Sequence, residues 1–468
     1  MPASILKSLS VGDSPLSCTQ THPVRTISQS HSRGREIILT QKLREQLHSR
    51  EEQDRLITPA HPKTISHMAD FGSNDTLSFS SSGVLRTAFL KELERHPNFT
   101  LGSRSTRIFE GTTQYLTDLE EYLAHFHGAE SALFFNSGFD ANVALWSTVP
   151  QPGDVVLYDQ YVHASIHEGM RRGRAETQMF PHNDCAGLQQ CLLNLREKHP
   201  GIAEGNQTVF IALESVYSMD ADSPPIHRMI QLVKEILPRG NAVLSIDEAH
   251  SNGLLGPNGS GYACSLGLEK EFALRLHTCG KGLGATGGVI LANKIIRSYI
   301  INYAKNVIFS TGPAFPVLAA VKAGYDLLAS EEGETRRTRL QQNISYFHNK
   351  LTSHPHWSAI KQNGILTIPT EGTWATESFH APIIPFNTRD GDANSLADRL
   401  HQAHYWVNPV HYPLVPKGQE RVRLVLHADN TESQIDDILG VIMQWSMEQV
   451  RDSTRFDDTG WMQVACSI

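Results

Sequence analysis

Between about residues 110 and 320, short apolar runs alternate with stretches whose apolar positions recur at helical spacing: SALFFN, GDVVLYD, QTVFIALES, NAVLSIDEAH, LRLHTCGK and GGVILAN. Unbroken apolar runs suit strands buried on both faces, and their alternation with helical patterns predicts an α/β fold with a mostly parallel sheet. In such sheets chemistry collects at the carboxyl ends of the strands, so the polar residue closing each run is the one to examine. After about residue 330 the pattern changes. A charged helix, EEGETRRTRLQQNISYFHNKL, precedes SFHAPIIPF, YWVNPV and ERVRLVLHA, which predicts a second, smaller C-terminal α+β domain. From about Glu36 to Leu56, Ile38, Leu39, Leu43 and Leu47 stand among charges and predict an amphipathic arm helix. The expected organisation is an N-terminal extension and arm over 1–60, a large domain over 61–325 and a small domain over 326–468.

Composition narrows the function class. A chain of 468 residues, 40% hydrophobic and 19% charged, has ordinary globular composition and room for a large core. A net charge of −8 argues against nucleic acid as the main partner, because phosphate backbones need a basic footprint. No apolar stretch approaches the roughly 20 residues of a membrane helix, so no membrane span is expected. The six cysteines form no C-x-x-C pair, so neither a zinc knuckle nor a disulfide framework is expected, and a reducing, cytoplasmic location fits. In the first 35 residues Lys7, Arg25, Arg33 and Arg35 face a single acid, Asp13, among serines and threonines. That segment reads as a disordered tail, with a mitochondrial transit peptide as the alternative.

The stretch HTCGKGLGATGGVILAN, residues 277–293, admits three chemistries. Gly282, Gly284 and Gly287 satisfy the dinucleotide fingerprint G-x-G-x-x-G. That motif should open a helix and be trailed by an acid, whereas this run leads into a strand pattern and no Asp or Glu occurs from Phe272 to Tyr325. A P-loop would need Ser or Thr at Gly282 and glycine at Arg275. DEAH at 247–250 imitates a helicase box, but a helicase needs the missing P-loop. The remaining chemistry is the amine of Lys281, since a buried lysine deprotonates readily and forms Schiff bases.

A Schiff-base lysine belongs either to an aldolase or to a pyridoxal-phosphate enzyme. The cofactor demands an acid for its ring nitrogen, a phosphate cradle and a cover for the ring. Asp247 closes one apolar run, and His250 follows three residues on, within reach of a ring hydroxyl. Ser137-Gly138-Phe139 joins a strand pattern to a helical one, where backbone N–H groups can hold phosphate. His163 offers a flat ring for stacking. His163 and His167 also have metal-site spacing, but no further ligand cluster accompanies them, and no metal is expected.

With these residues in place, the chain resembles the α-oxoamine synthase family of fold-type-I pyridoxal-phosphate enzymes. The likeness runs from about Phe71 to Leu439 and rests on SND, RIFEGT, LEEYLAHFHGAESALFFNSGFDAN, HASIHEG, ESVYSMDAD, IDEAHSNGLLGPNGSG, TCGKGLGATGG, FSTGP and YPLVPKGQERVRL. The resemblance implies a seven-stranded, mostly parallel sheet in the large domain, which would bind pyridoxal 5'-phosphate. Lys281 would carry the cofactor and remove the Cα proton, with His163 stacked on the ring, Asp247 at the ring nitrogen, and His250 and Ser218 near the ring hydroxyl. Phosphate would be held by Ser137, Gly138, Phe139 and Thr278, and by Thr311 from the neighbouring subunit of a homodimer. Arg423 would bind the amino-acid carboxylate, with Asn74 near the substrate and Arg421 as the alternative anchor on the same strand face.

The implied reaction condenses a small amino acid with an acyl thioester, on coenzyme A or a carrier, usually with loss of CO₂. The 8-amino-7-oxononanoate synthase-like and glycine C-acetyltransferase-like subclasses match best, with SGFDAN and PKGQ leaning to the latter. Release of a polyketide or fatty chain from a carrier is compatible, and an aminotransferase or aldolase of the same fold, needing no thioester, stays open. The chain departs from the family at GSRSTR (102–107), bulkier and more basic than the usual glycine-rich loop for the thioester. It also has Ala221 in place of glycine and Leu116 in place of a frequent histidine.

Overall fold

The computed structural model describes residues 37–465 other than Asp54, Ile57, Ala60, Ser378 and Asp390, so the expected tail or transit peptide lies outside the described residues. Two compact units divide after Pro62. The first contains a helix, Ile38–Glu52, somewhat shorter than its sequence pattern, with Leu39, Leu43 and Leu47 all exposed.

The second unit holds two principal sheets. After a two-residue strand β1 (Ala69–Asp70), the large sheet is built from β2 (Ser131–Phe135), β3 (Val155–Asp159), β4 (Glu176–Phe180), β5 (Val209–Glu214), β6 (Ala242–Asp247), β7 (Leu274–Thr278) and β8 (Gly288–Ala292). Their spatial order is β2-β8-β7-β6-β5-β3-β4, and β8 alone runs antiparallel to its neighbours. Six of the seven strands are the apolar runs of the sequence. The seventh, β4, is an edge strand with Glu176, Thr177 and Met179 exposed, so it carries no apolar run. Helices cover both faces in separate apolar clusters, as a sheet buried on two sides requires.

The strands end together, so Asp159, Glu214, Asp247 and Thr278 close β3, β5, β6 and β7 along one edge. Glu214 and Asp247 are register partners. Two helices, Gly138–Thr148 and Ala164–Arg172, cross very closely beside this edge: a Cβ at Gly169 would lie 2.7 Å from Trp146 Cβ and 2.9 Å from the Asn142 carbonyl.

The smaller sheet comprises β9 (Leu366–Thr367), β10 (Ile383–Thr388), β12 (Asn408–Val410) and β13 (Arg421–Val425), in the order β12-β13-β10-β9; β11 (Tyr405–Trp406) pairs in parallel with β1. Side chains alternate along β13. Val422 and Leu424 enter the large apolar core, while Arg421, Arg423 and Val425 face the other way. The chain after β1 follows this sheet, with the Val425 N–H donating to the Phe71 carbonyl and the Ala428 N–H to the Thr76 carbonyl, which brings Asn74 alongside Arg423. Among the described residues no helix is long and apolar enough to cross a membrane.

Candidate active site

Lys281 sits in a tight loop between β7 and β8. The Gly284 N–H donates to the Lys281 carbonyl at 2.8 Å and the Ala285 N–H to the Cys279 carbonyl at 2.8 Å. Gly284 at φ +68° and Gly287 at φ +138° take conformations that side chains disfavour. A Cβ at Gly287 would lie 2.4 Å from the Phe134 ring, so the glycine spacing that imitates a dinucleotide motif comes from packing of β8 against β2. Lys281 Nζ lies 2.7 Å from His250 Nε2. Burial brings the Lys281 pKa down to about 8, against the opposing pull of Asp247 and Glu214 and with help from Arg423. Burial, and then Lys281, hold His250 well below its ordinary value. The imidazole is therefore neutral, and its Nε2 lone pair accepts from the ammonium.

Asp247 has both oxygens engaged. Oδ1 accepts from the Ala249 N–H at 2.9 Å, and Oδ2 from Asn142 Nδ2 at 2.8 Å. Asn142 Nδ2 also reaches Ser165 Oγ at 2.9 Å, and Ser165 Oγ lies 2.7 Å from His163 Nδ1. One chain of bonds thus links the carboxylate to the ring of His163. That ring also caps its own helix, its Nδ1 accepting from the Ser165 N–H at 3.2 Å. Burial lowers the His163 pKa, Lys281 adds to the effect and Asp247 opposes it. Beneath them Glu214 accepts from the His163 N–H. Burial and the adjacent Asp247 hold its carboxyl well above the usual range.

Ser137 caps the helix Gly138–Thr148, its Oγ accepting from the Asp140 N–H at 3.0 Å. Gly138 and Phe139 open that helix, where the first N–H groups have no acceptor within the helix and favour an anion. A Cβ at Gly138 would lie 2.6 Å from Thr278 Cγ2, so only glycine keeps this corner open. Thr278 Oγ1 is buried and lacks a hydrogen-bond partner among the described residues, as a hydroxyl awaiting a ligand oxygen would. The donor set fits a phosphate, and Asp247 with Lys281 fits the two ends of a pyridoxal ring. Thr311 is exposed and pairs with Thr106 in an isolated bridge. The 103–107 segment is fixed there: Ser103 Oγ donates to the Gly312 carbonyl at 2.7 Å, and Arg107 is buried against Glu120 at 2.8 Å and the Phe134 carbonyl at 2.9 Å. Arg104, at φ +67°, is exposed.

The two arginines of β13 have different partners. Arg421 Nη1 lies 2.6 Å from Asp220 Oδ1 and donates to the Met219 carbonyl at 2.7 Å. Arg423 donates from Nε to the Ser218 carbonyl at 2.9 Å and from Nη2 to Asn74 Oδ1 at 3.0 Å, and has no carboxylate partner among the described residues. Burial lowers its pKa to about 10. A desolvated guanidinium with unused donors suits an anionic ligand. Ser218 thus meets this site through its backbone carbonyl. Asn142, Ser165 and Glu214 carry as much of the geometry, and sequence reading missed them: Asn142 and Ser165 lie inside helices, and Glu214 closes an ordinary apolar run. Among the described residues no three His, Cys, Asp or Glu side chains are grouped to hold a metal, and His167 lies beside Tyr158, ring centroids 5.1 Å apart.

Residues 66–442 match the family model for aminotransferases of class I and II. The chain is similar to the aminoacyl transferase sphA of Aspergillus fumigatus, 39% identical over 81% of this chain and 81% of that protein. It is also similar to the 8-amino-7-oxononanoate synthase of Emericella nidulans, 39% identical over 89% of this chain and 98% of that protein. Among solved structures, SPT with PLP internal aldimine aligns with a TM-score of 0.72 at 25% identity, covering 89% of this chain and 99% of that one. The 8-amino-7-oxononanoate synthase of Francisella tularensis aligns with a TM-score of 0.63 at 27% identity, covering 82% and 99%.

Proposed function

The chain belongs to the aminotransferase class I and II family, and within it to the α-oxoamine synthases; from that membership we propose that it joins a small amino acid to an acyl thioester, with Lys281, His163, Asp247 and His250 as its catalytic groups. It is a pyridoxal-phosphate-dependent acyltransferase. The observation that carries the substrate reading is Arg423, a buried cation without a carboxylate partner among the described residues, close enough to Lys281 and His250 to lower the pKa of both.

Pyridoxal phosphate, when bound, supplies an electron sink for the charge left at the substrate Cα. The residues around it do the rest. Ser137, Gly138, Phe139 and Thr278 would hold its phosphate, Asp247 would keep a proton on its ring nitrogen, His163 would cover the ring, and His250 with Ser218 would serve its hydroxyl. Arg423 and Asn74 would fix the amino-acid carboxylate and so select which bond at Cα is oriented to break. Lys281, whose pKa burial lowers to about 8, would take the Cα proton. The deprotonated Cα would then bond to the acyl carbon of the thioester as the C–S bond breaks and the thiolate leaves with a proton; in most such enzymes the carboxylate would also be lost as CO₂, with a proton taking its place on Cα.

Thr311 completes the phosphate site of a second subunit in a homodimer. Support comes from exposed aromatic side chains close in sequence to Thr311 and to its bridge partner Thr106, Phe309 at 78% and Phe109 at 70%. The free described cysteines fit a cytoplasmic setting. Incubation of the loaded enzyme with glycine, L-alanine and L-serine and acyl-coenzyme A donors of graded length, read by mass spectrometry, tests the reading. An α-oxoamine with release of free thiol is expected, and amino-group exchange with a keto acid in its place would overturn it.

A further inference from the structure

Outside the residues so far assigned to chemistry, His182 joins two walls of the site. It follows the edge strand β4, with Nδ1 2.7 Å from Asp159 Oδ1 and Nε2 2.9 Å from Asp222 Oδ2. Carboxylate oxygens only accept, so both ring nitrogens donate and the ring is an imidazolium. Burial works against that charge, but the bonds to Asp159 and Asp222 overcome it and raise the pKa to about 10. Asn183 reinforces the bridge, its N–H donating to Asp159 Oδ2 at 2.8 Å and its Nδ2 to Asp222 Oδ2 at 2.8 Å. Tyr161 lies against the ring at 4.4 Å and Tyr217 meets it edge-on at 4.5 Å. The nearby Asp220 is occupied by Arg421.

Each end of the bridge belongs to a functional segment. Asp159 closes β3 and accepts from the Tyr161 N–H at 2.9 Å, which starts the turn leading to His163. Asp222 closes the turn 217–222, in which the Tyr217 N–H donates to the Asp222 carbonyl at 2.9 Å and the Ala221 N–H to the Tyr217 carbonyl at 2.8 Å. Ala221 has φ +61°, a left-handed conformation that disfavours a non-glycine residue and persists only where the surroundings enforce it. The same turn presents the Ser218 carbonyl to Arg423 and Asp220 to Arg421.

We propose that His182 is a positioning residue for the amino-acid substrate: by bridging Asp159 and Asp222 it holds the 217–222 turn where the Ser218 carbonyl fixes Arg423 Nε and leaves the remaining donors aimed at the substrate carboxylate. The inference rests on the assignment of Arg423 as carboxylate anchor. In full-length enzyme loaded with pyridoxal phosphate, the Kd of glycine, L-alanine or L-serine is read from the change in cofactor absorbance, beside KM, kcat and cofactor content. His182→Gln removes the charge and should raise Kd and KM about tenfold or more, with kcat within about threefold and cofactor content unchanged. Asp222→Asn keeps the shape of the bridge and should move Kd in the same direction by a smaller factor; it decides the matter if the first variant does not fold. Unchanged Kd in the folded variants, or a loss confined to kcat or to cofactor content, overturns the proposal. A wild-type enzyme that binds amino acid but ignores thioesters would remove the acyltransferase reading and leave this comparison intact. A Kd untouched by Arg423→Ala would remove the Arg423 assignment first.

Discussion

Asn142 donates its side-chain amide to Asp247 Oδ2 at 2.8 Å across 105 positions of sequence. The bond fixes the plane of the carboxylate, and the same amide reaches Ser165. Asn142→Leu leaves a buried oxygen of Asp247 and the Ser165 hydroxyl without that donor. Turnover should fall roughly 10–100-fold, as for other residues that orient a functional carboxylate, and stability by about 1–3 kcal/mol in denaturant titration.

Lys281 sets a pH dependence. In enzyme stripped of cofactor its amine should be unreactive well below pH 8 and reach a plateau above it, because only the unprotonated form attacks an aldehyde. The rate of covalent capture of added pyridoxal phosphate against pH, trapped with borohydride, should show a midpoint near 8. Asp247 stabilises the ammonium, so Asp247→Asn should move this midpoint down. A midpoint near the ordinary lysine value would contradict the burial of the amine.

Thr278→Val separates cofactor binding from folding. The Thr278 hydroxyl has no partner among the described residues, so its loss should leave the stability of the cofactor-free protein unchanged or slightly raised. Cofactor affinity should weaken about tenfold if that hydroxyl meets phosphate. Thermal scans with and without pyridoxal phosphate read both effects.

Arg421 and Arg423 should fail differently. Arg421→Ala leaves Asp220 facing a cavity without its partner and should destabilise the fold by about 3–5 kcal/mol. Arg423→Ala abandons no carboxylate among the described residues, so it should keep a near-native melting temperature. Its amino-acid affinity should drop on the order of a hundredfold, and solvent-deuterium exchange at Cα should slow with it. Reversal of the two phenotypes would move the carboxylate anchor to Arg421.

The legible part of the fold is the part buried on both faces. β3, β5, β6, β7 and β8 are apolar runs, and their closing residues led directly to Asp247, Thr278 and Lys281. β4 escaped because Glu176, Thr177 and Met179 face solvent and leave no apolar run, and β1 and β9 because two residues make no period. Arg421 and Arg423 could not be told apart in sequence, since both lie on one strand face and differ only in partners some 200 residues away. Asn142 and His182 are hidden for the same reason: a polar side chain declares its role through a partner that only the folded chain supplies.

Gly138, Thr278 and Gly288 come from three separate stretches of the chain yet touch with no slack: a Cβ at Gly288 would lie 2.6 Å from the Ser137 carbonyl and 2.7 Å from Gly138 Cα, and one at Gly138 would lie 2.6 Å from Thr278 Cγ2. Rotamers cannot absorb a change there, because the contacts are made largely by backbone. This corner is therefore closed to redesign and to gradual drift alike, whatever substrate the enzyme is asked to accept. Room for variation lies at exposed positions such as Gly102, where an added side chain would meet no neighbouring atom within 4 Å. Libraries belong at such exposed positions of the 102–107 loop, with buried Ser103 and Arg107 and the glycine corner left as found.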